Sequence, residues 1–254
     1  MTKIISLVSG KGGVGKTTVV ANLGLALLEL GKDVTLIDGN ITTPNLGFHL
    51  GLPTFPKTLH DVLKGNAEVF DVVYEHDSGL KIVPAGLSIE HLKNLDPRRF
   101  SQVLLGLFGS TEIILIDAAA GIGREALAAI ENSDEILIVT NPELPAVLDA
   151  LKVYKIAEKV GVESRGIVLN RVTKKKYEMR DEEITNLIEL PILAKIMEDE
   201  TIKKSIAEQI PIVKYKPYSY NSIQFRKLAR LLVGENPEVE IQIPWYRRIF
   251  GGLF

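Results

Sequence analysis

The sequence predicts an α/β fold: a doubly wound, mostly parallel sheet with helices on both faces. Two observations support this prediction. Apolar segments of strand length alternate along the chain with amphipathic segments of helix length. The short segments are nearly continuous runs of Ile, Val and Leu, a pattern typical of parallel strands that are covered on both faces. This alternation indicates a single doubly wound sheet.

The predicted elements follow one another in a regular order. The strands are Lys3–Ser9, Asp33–Asp38, Leu80–Ala85, Glu112–Asp117, Glu135–Thr140, Arg165–Asn170 and Pro191–Ile196. The helices are Thr17–Leu30, Pro97–Phe108, Arg124–Asn132, Ala146–Val160, Asp181–Ile188 and Ser222–Val233. Residues 1–233 are therefore predicted to form one domain. Residues 234–242 are polar and contain Gly and Pro, so we expect a linker there, followed by an amphipathic helix at 243–254.

Composition excludes several classes of protein. The 254 residues contain no cysteine, which removes disulfides, thiolate nucleophiles and every iron–sulfur or cysteine–zinc site. A net charge of -2 argues against a protein that coats nucleic acid. No apolar run reaches the roughly 18 to 20 residues that span a bilayer, and the N-terminus does not look like a signal peptide. We therefore expect a cytoplasmic protein, or one on the inner face of the cell membrane.

A glycine-rich loop joins the first predicted strand to the first predicted helix. Its sequence, GKGGVGKTT, satisfies the pattern G-x4-G-K-[ST] in the strand–loop–helix context that the pattern requires. Such a backbone closes around phosphate oxygens at the start of a helix. Lys16 is expected to contact the β- and γ-phosphates, and the Thr17 hydroxyl to bind Mg²⁺. The predicted nucleotide-binding residues here are Gly10, Lys11, Gly12, Gly13, Val14, Gly15, Lys16, Thr17 and Thr18.

Lys11 has no obvious role toward a nucleotide in its own subunit. With it, the loop resembles K-G-G-x-G-K-[ST]-T, the deviant Walker A motif of the MinD/ParA family of ATPases. In that family the first lysine reaches across a dimer interface to the phosphates bound by the other subunit. The resemblance covers residues 1 to about 233 and implies that ATP holds a homodimer together through Lys11. The alternative is a solvated surface lysine.

The stretch after the second predicted strand, DGNITTPN, resembles the family's first switch, D-x-D-x-x-x-x-N. Asp38 and Asn45 match this pattern, but Asn40 stands where the second aspartate belongs. In the family that aspartate orients or activates the attacking water. An amide can position water but cannot accept its proton. We therefore expect slow basal hydrolysis.

The strand EIILID ends at Asp117, as expected for a Walker B element that holds Mg²⁺ directly or through water. The resemblance implies that the backbone N–H of Gly121 senses the γ-phosphate. Relatives usually carry Pro where this chain has Ala119. The predicted catalytic residues are Lys11, Lys16, Asp38, Asn40 and Asp117, and the predicted metal ligands are Thr17, Asp38 and Asp117.

Two later segments are predicted to contact the base. Asn170 and Arg171 follow a predicted strand at its C-terminal end, where α/β proteins bind ligands. In MinD-like proteins the asparagine reads the adenine, and a segment such as IPIVKY, which contains Pro211, packs on its other side. An ordinary turn residue is the alternative for Asn170.

Several relatives are set aside on physical grounds. The nitrogenase iron protein and iron–sulfur carrier ATPases need cysteines, and bacterial tyrosine kinases of this fold carry a tyrosine-rich tail. ParA-type partition ATPases bind DNA through surface cations. The candidates here are Lys174, Lys175, Lys176, Lys203 and Lys204. Such short runs are typical of a solvated face, so we expect no DNA binding.

The segment IPWYRRIFGGLF is predicted to bind membranes. On a helix, one face carries Trp245, Tyr246, Ile249, Phe250 and Leu253, while Arg247 and Arg248 point elsewhere; Phe254 completes the predicted contact set. Large apolar groups opposite cations are typical of a helix in the headgroup region of an anionic membrane. WYRRIFGG is also similar to the membrane-targeting helix of MinD proteins. Docking on the chain's own domain or on a partner protein is the alternative.

One such helix alone is predicted to bind weakly. Its apolar side chains gain on the order of 5 to 8 kcal/mol and its arginines about 2. Ordering roughly ten residues costs on the order of 10 kcal/mol. Two helices joined in one dimer gain about 10² to 10⁴ in avidity. Membrane binding is therefore expected to follow the nucleotide state.

Together these features predict a MinD-like ATPase with ATP/ADP and Mg²⁺ as cofactors. It is expected to be a monomer with ADP and a dimer with ATP, and to position other proteins in cell division or spatial organisation. One alternative is a FlhG/FleN-like regulator of flagellar placement, because DAAAGIG at residues 117–123 resembles that group's second switch. However, the chain begins two residues before its first strand and so lacks that group's N-terminal extension. A non-hydrolysing, ATP-gated scaffold is a further alternative.

Overall fold

The computed structural model describes residues 2–87 and 99–238. The strands are β1 (Lys3–Ser9), β2 (Val34–Gly39), β3 (Tyr74–Glu75), β4 (Lys81–Val83), β5 (Ile113–Ala120), β6 (Glu135–Thr140), β7 (Glu163–Val172) and β8 (Ile192–Met197). The helices are α1 (Lys16–Glu29), α2 (Leu46–His49), α3 (Leu59–Lys64), α4 (Phe100–Leu107), α5 (Arg124–Glu131), α6 (Leu144–Val160), α7 (Asp181–Ile188), α8 (Glu200–Ala207), α9 (Ile212–Tyr215) and α10 (Tyr220–Leu232). A single 3₁₀ turn spans Val69–Val72.

The strands form one sheet in the order β3-β4-β2-β5-β1-β6-β7-β8. Every neighbouring pair is parallel except β3 with β4. This confirms the predicted doubly wound, mostly parallel sheet. Because β1 lies between β5 and β6, the chain reverses its direction of winding there. Ligands bind at such a reversal, beyond the carboxyl ends of the strands.

The sheet is covered on both faces, as the uninterrupted apolar runs predict. Alternate residues of β1 enter different layers: Ile5 and Leu7 pack with α1 and α10, whereas Ile4 and Val8 pack with the layer that contains α4, α5 and α6. Both layers exclude water from β1, so that strand has no polar face. This fixes the position of the loop that follows it.

A buried polar contact places α9 beside α1. Asn22 of α1 is 2% exposed, and its side-chain oxygen accepts the backbone N–H of Val213 at 3.0 Å. Arg226 of α10 binds both carboxylate oxygens of Glu29, at 2.6 and 3.0 Å. The C-terminal helices are thereby fastened to the helix that follows the glycine-rich loop.

Most predicted boundaries lie within two residues of those observed. α6 begins earlier, at Leu144, because Pro145 is tolerated in the first turn of a helix. The helix predicted from Pro97 begins at Phe100 in the described part of the chain. The linker predicted at 234–242 is described only as far as residue 238. The helix predicted at 243–254 lies outside the described residues.

In the described part of the chain, no helix has the length and apolarity needed to cross a membrane.

Replacing Phe225 by Ala is expected to lower the free energy of unfolding by about 3 to 5 kcal/mol. Phe225 is 0% exposed and packs between α10 and the sheet, so the change leaves a large cavity. The measurement is urea unfolding followed by circular dichroism. Tyr220→Ala is the matched control, because this aromatic side chain of the same helix is 51% exposed. Equal losses for the two variants would contradict the packing of α10 described above.

Candidate nucleotide site

A cavity of about 740 Å³ lies at the carboxyl ends of the central strands. Most of its wall comes from three segments: the glycine-rich loop after β1, the loop after β2, and the loop that joins β5 to α5. Neighbouring parallel strands end at the same edge of a sheet, so segments distant in sequence meet there. The predicted phosphate loop and both predicted switches are therefore brought together.

Glycine is required at different positions of the loop for different structural reasons. Gly13 and Gly15 adopt the left-handed conformation, with φ of 79° and 90°, which disfavours other residues. A Cβ atom at Gly15 would overlap the Asn170 amide, and one at Gly10 would overlap the backbone of Asp149 in α6. Gly10 thus lets α6 approach the loop closely.

Asp117 is the central acceptor of the site. One of its oxygens receives the Lys16 ammonium at 2.6 Å, and the other receives the Thr17 hydroxyl at 2.6 Å. Lys16 is 7% exposed and Asp117 0%. The two residues predicted to handle phosphate and Mg²⁺ are therefore held by the strand predicted to be the Walker B element. Contact of Lys16 with phosphates stays a prediction.

The buried Asp38 side chain holds the backbone of the predicted first switch. It is 1% exposed and accepts backbone N–H bonds from Asn40, Asn45 and Leu46 at 3.0 to 3.2 Å. Burial and the nearby Asp117 carboxylate together raise the pKa of Asp38 to about 7, against the opposing effect of the Leu46 and Asn40 N–H groups and of Lys16. The loop after β2 therefore depends on a carboxylate that carries a desolvation cost.

The oxygen atoms here suit Mg²⁺. Asp38 and Asp117 are register partners on β2 and β5, and Thr17 contacts Asp117 directly. Mg²⁺ prefers such hard oxygen ligands. Burial and the neighbouring Asp117 carboxylate raise the pKa of Asp38, and a divalent cation at this position would favour the ionised form. Among the described residues, no group of three or more His, Asp or Glu is placed to hold a metal ion.

Asn40 lines the cavity, but its amide is bonded within its own loop. The side-chain oxygen accepts the N–H and the hydroxyl of Thr43 at 3.3 and 3.2 Å, and the nitrogen donates to the Thr43 carbonyl at 2.8 Å. Asn40 therefore closes a tight turn. Its role toward the attacking water stays a prediction.

Gly121 also has a partner in the structure. It has a φ of 82°, and its N–H donates to the Ser9 carbonyl at 2.8 Å. The predicted contact of this N–H with a γ-phosphate would require that bond to open. Ala119 and Ala120 line the cavity beside it.

Lys11 lies apart from the other loop residues. Its ammonium pairs with Glu143, which precedes α6, at 3.2 Å, and the side chains are 35% and 56% exposed. Exposed pairs of this kind contribute roughly 0 to 1 kcal/mol. Lys11 is not among the described residues that line the cavity, unlike Lys16. Its predicted contact across a dimer interface stays a prediction.

The predicted adenine contacts are placed differently from one another. Asn170 is 5% exposed and donates to the Val14 carbonyl at 2.7 Å. Arg171 lines the cavity and has a φ of 57°. Pro211 precedes α9 and is not among the described lining residues. Adenine contact stays a prediction for all three.

Sequence reasoning missed several polar residues of the wall, among them His49 and Glu125. His49 of α2 lies 3.3 Å from the Thr18 hydroxyl and 3.1 Å from the Asn45 carbonyl, and burial lowers its pKa. Glu125, in the first turn of α5, accepts the Thr42 hydroxyl at 2.7 Å. For Glu125, the available sequence signal was a carboxylate just after the predicted second switch. A carboxylate in the first turn of a helix is normally explained by its favourable interaction with the helix dipole.

Comparison with known proteins agrees with this geometry. Residues 5–212 match the CobQ/CobB/MinD/ParA nucleotide binding domain. An uncharacterized ATP-binding protein of Methanocaldococcus jannaschii is 36% identical over 242 residues, covering 95% of this chain and 92% of that protein. The septum site-determining protein MinD of Thermotoga maritima is 34% identical over 249 residues, covering 94% and 91%.

A solved structure is also similar. It is the septum site-determining protein MinD of Pyrococcus horikoshii complexed with Mg-ADP, at 41% identity and a TM-score of 0.88, with 91% of this chain and 96% of that chain covered. The chain therefore belongs to the CobQ/CobB/MinD/ParA family of nucleotide-binding proteins.

Proposed function

We propose that this protein is a MinD-type ATPase that dimerises around ATP, binds the inner membrane surface as a dimer, and positions other proteins in the cell. The observation that carries the proposal is the separation of the two loop lysines. Lys16 is buried on Asp117 inside the cavity, whereas Lys11 is exposed outside it. One lysine is suited to the nucleotide of its own subunit and the other to that of a partner.

Nucleotide binding is supported by the site and by a relative. The similar protein of Pyrococcus horikoshii was solved with Mg-ADP. In this chain Thr17, Asp38 and Asp117 would hold Mg²⁺, and Lys16 would bind the phosphates. The ion would neutralise the two carboxylates and polarise the terminal phosphate.

Dimerisation is supported by the surface next to Lys11. Leu144 and Leu148 are 52% and 41% exposed and lie one turn apart on α6, directly after the Glu143 that pairs with Lys11. Residues spaced by four share one face of a helix. Exposed apolar groups beside a weakly held cation are a suitable surface for a second copy.

Membrane binding is supported by the sequence of residues 243–254, which lie outside the described part of the chain. The described part ends at Glu238, in the polar segment that follows α10. A pair of such segments in one dimer would bind far more tightly than one.

Lys11→Ala is expected to abolish the ATP-dependent dimer while leaving ATP affinity within about twofold of wild type, since the Lys11 ammonium pairs with Glu143 and Lys11 is not among the described residues that line the cavity. Light scattering with a slowly hydrolysed ATP analogue measures the mass, and a fluorescent nucleotide measures affinity. Lys159→Ala, at the far end of α6, is the control. A dimer that survives in Lys11→Ala would contradict the contact across the interface.

ATP-loaded protein is expected to sediment with anionic liposomes, and ADP-loaded protein to remain in solution. Phe250→Asp should abolish sedimentation with ATP, because it puts a charge on the apolar face of the predicted helix. Phe70→Asp is the control, since Phe70 is 63% exposed on the folded domain. Equal sedimentation with both nucleotides would refute the switch, and none with either would refute the anchor.

Asn40→Asp is expected to raise the rate of ATP hydrolysis, by about 10² or more, because a carboxylate can accept the proton of the attacking water. Asn66→Asp is the control, since it adds the same charge to an exposed residue outside the cavity. Phosphate release in a single turnover is the measurement. An unchanged rate in Asn40→Asp would contradict the role assigned to this position.

The main rival is an ATP-gated scaffold that does not hydrolyse ATP. Asn40 favours this scaffold. Its amide cannot accept a proton from water, and both ends of the amide are bonded to Thr43. Wild-type protein that releases no phosphate from bound ATP would support the scaffold and not the ATPase.

A further inference from the structure

Glu125 is the only Asp or Glu among the described residues that line the nucleotide cavity. Asp38 and Asp117 lie deeper, beneath Lys16 and Thr17, and are occupied there by backbone N–H groups, the lysine and the hydroxyl. Glu125 belongs to α5, which begins just after the loop from β5. The cavity therefore has one carboxylate on its wall in the described part of the chain.

Glu125 is held facing the first switch. Its Oε1 accepts the Thr42 hydroxyl at 2.7 Å, and Thr42 belongs to the turn that Asn40 closes with Thr43. The carboxylate is thus held against Thr42, two residues along the chain from the position where the family pattern has an aspartate. One hydrogen bond leaves a carboxylate with further acceptor capacity, since each oxygen has two lone pairs.

The other polar groups of the wall are poor proton acceptors. The Asn40 amide has no basic lone pair at neutral pH, and both of its ends are bonded to Thr43. His49 has one ring nitrogen against the Thr18 hydroxyl and the other against the Asn45 carbonyl. Arg171 and Lys16 are cations. Among the described lining residues, Glu125 is therefore the carboxylate that keeps acceptor lone pairs outside the hydrogen bond to Thr42.

We propose that Glu125 is the general base for ATP hydrolysis, an inference that rests on the ATPase function proposed above. A water oxygen attacks the γ-phosphorus while the bond from that phosphorus to the β–γ bridging oxygen breaks. The electron pair of the broken bond leaves with ADP, and the proton of the water passes to the Glu125 carboxylate. The products are ADP and inorganic phosphate, and Glu125 then returns the proton to solvent.

A purely structural role makes a different prediction. The negative charge of Glu125 also stabilises the N-terminus of α5, and its hydrogen bond connects α5 to Thr42. Gln at this position keeps an oxygen that accepts the Thr42 hydroxyl, but it cannot accept a proton from water. Glu125→Gln therefore removes the proton acceptor while keeping the hydrogen bond to Thr42.

The test compares wild type, Glu125→Gln and Glu131→Gln in single-turnover hydrolysis at saturating Mg-ATP. Glu131 is at the exposed end of the same helix and serves as the matched control. We expect the rate of Glu125→Gln to fall by about 10² or more, with ATP affinity within about twofold of wild type. A rate within about twofold of wild type would overturn the role of Glu125.

A second variant shows whether the missing group is a carboxylate. Adding Asn40→Asp to Glu125→Gln restores one carboxylate on the same wall. We expect the hydrolysis rate of the double variant to be at least about tenfold that of Glu125→Gln. A double variant as slow as Glu125→Gln alone would overturn the proposal. If wild type itself releases no phosphate, the ATPase function fails, whereas hydrolysis that is unchanged in Glu125→Gln removes only this inference.

Discussion

The buried contact of Asp117 with Lys16 and Thr17 is the interaction on which the site depends. An ion pair at 2.6 Å between nearly inaccessible groups carries a large desolvation cost, and removing one partner would leave an uncompensated buried charge. The pair persists because β1 and β5 are adjacent in the sheet and both are buried. The same geometry that stabilises the pair fixes the loop lysine and hydroxyl at the edge where ligands bind.

The two switches are linked to this center through side chains rather than through the sheet alone. Asp38, the register partner of Asp117, holds the loop after β2 by its backbone. That loop is closed by Asn40 and reaches α5 through Thr42 and Glu125. A ligand that changes the charge around Asp117 therefore acts on Asp38 first, and through it on a loop tied to α5. The connection consists of a few hydrogen bonds.

Sequence patterns predicted the elements that are long or buried on both faces. β1, β6 and α7 were predicted at their observed boundaries, because apolar periodicity is unambiguous where water is excluded. β3, α2 and α9 were missed, since segments of two to four residues are too short to show a period. α8 was missed because it is short and its large apolar residues are only Ile202 and Ile206. The G-x4-G-K-[ST] pattern supplied the phosphate loop, and family resemblance supplied the switches.

The sequence by itself determined the doubly wound fold and the phosphate loop, since these follow from local spacing and residue type, while the place of Asn40 in a first switch is what the family resemblance implies. Only the tertiary structure decided which groups surround the cavity. It placed Glu125 against Thr42, Lys11 against Glu143, and the Asn170 amide on the Val14 carbonyl. These partners are 83, 132 and 156 residues apart. Contacts over such separations depend on strand order, which no local pattern in the chain specifies.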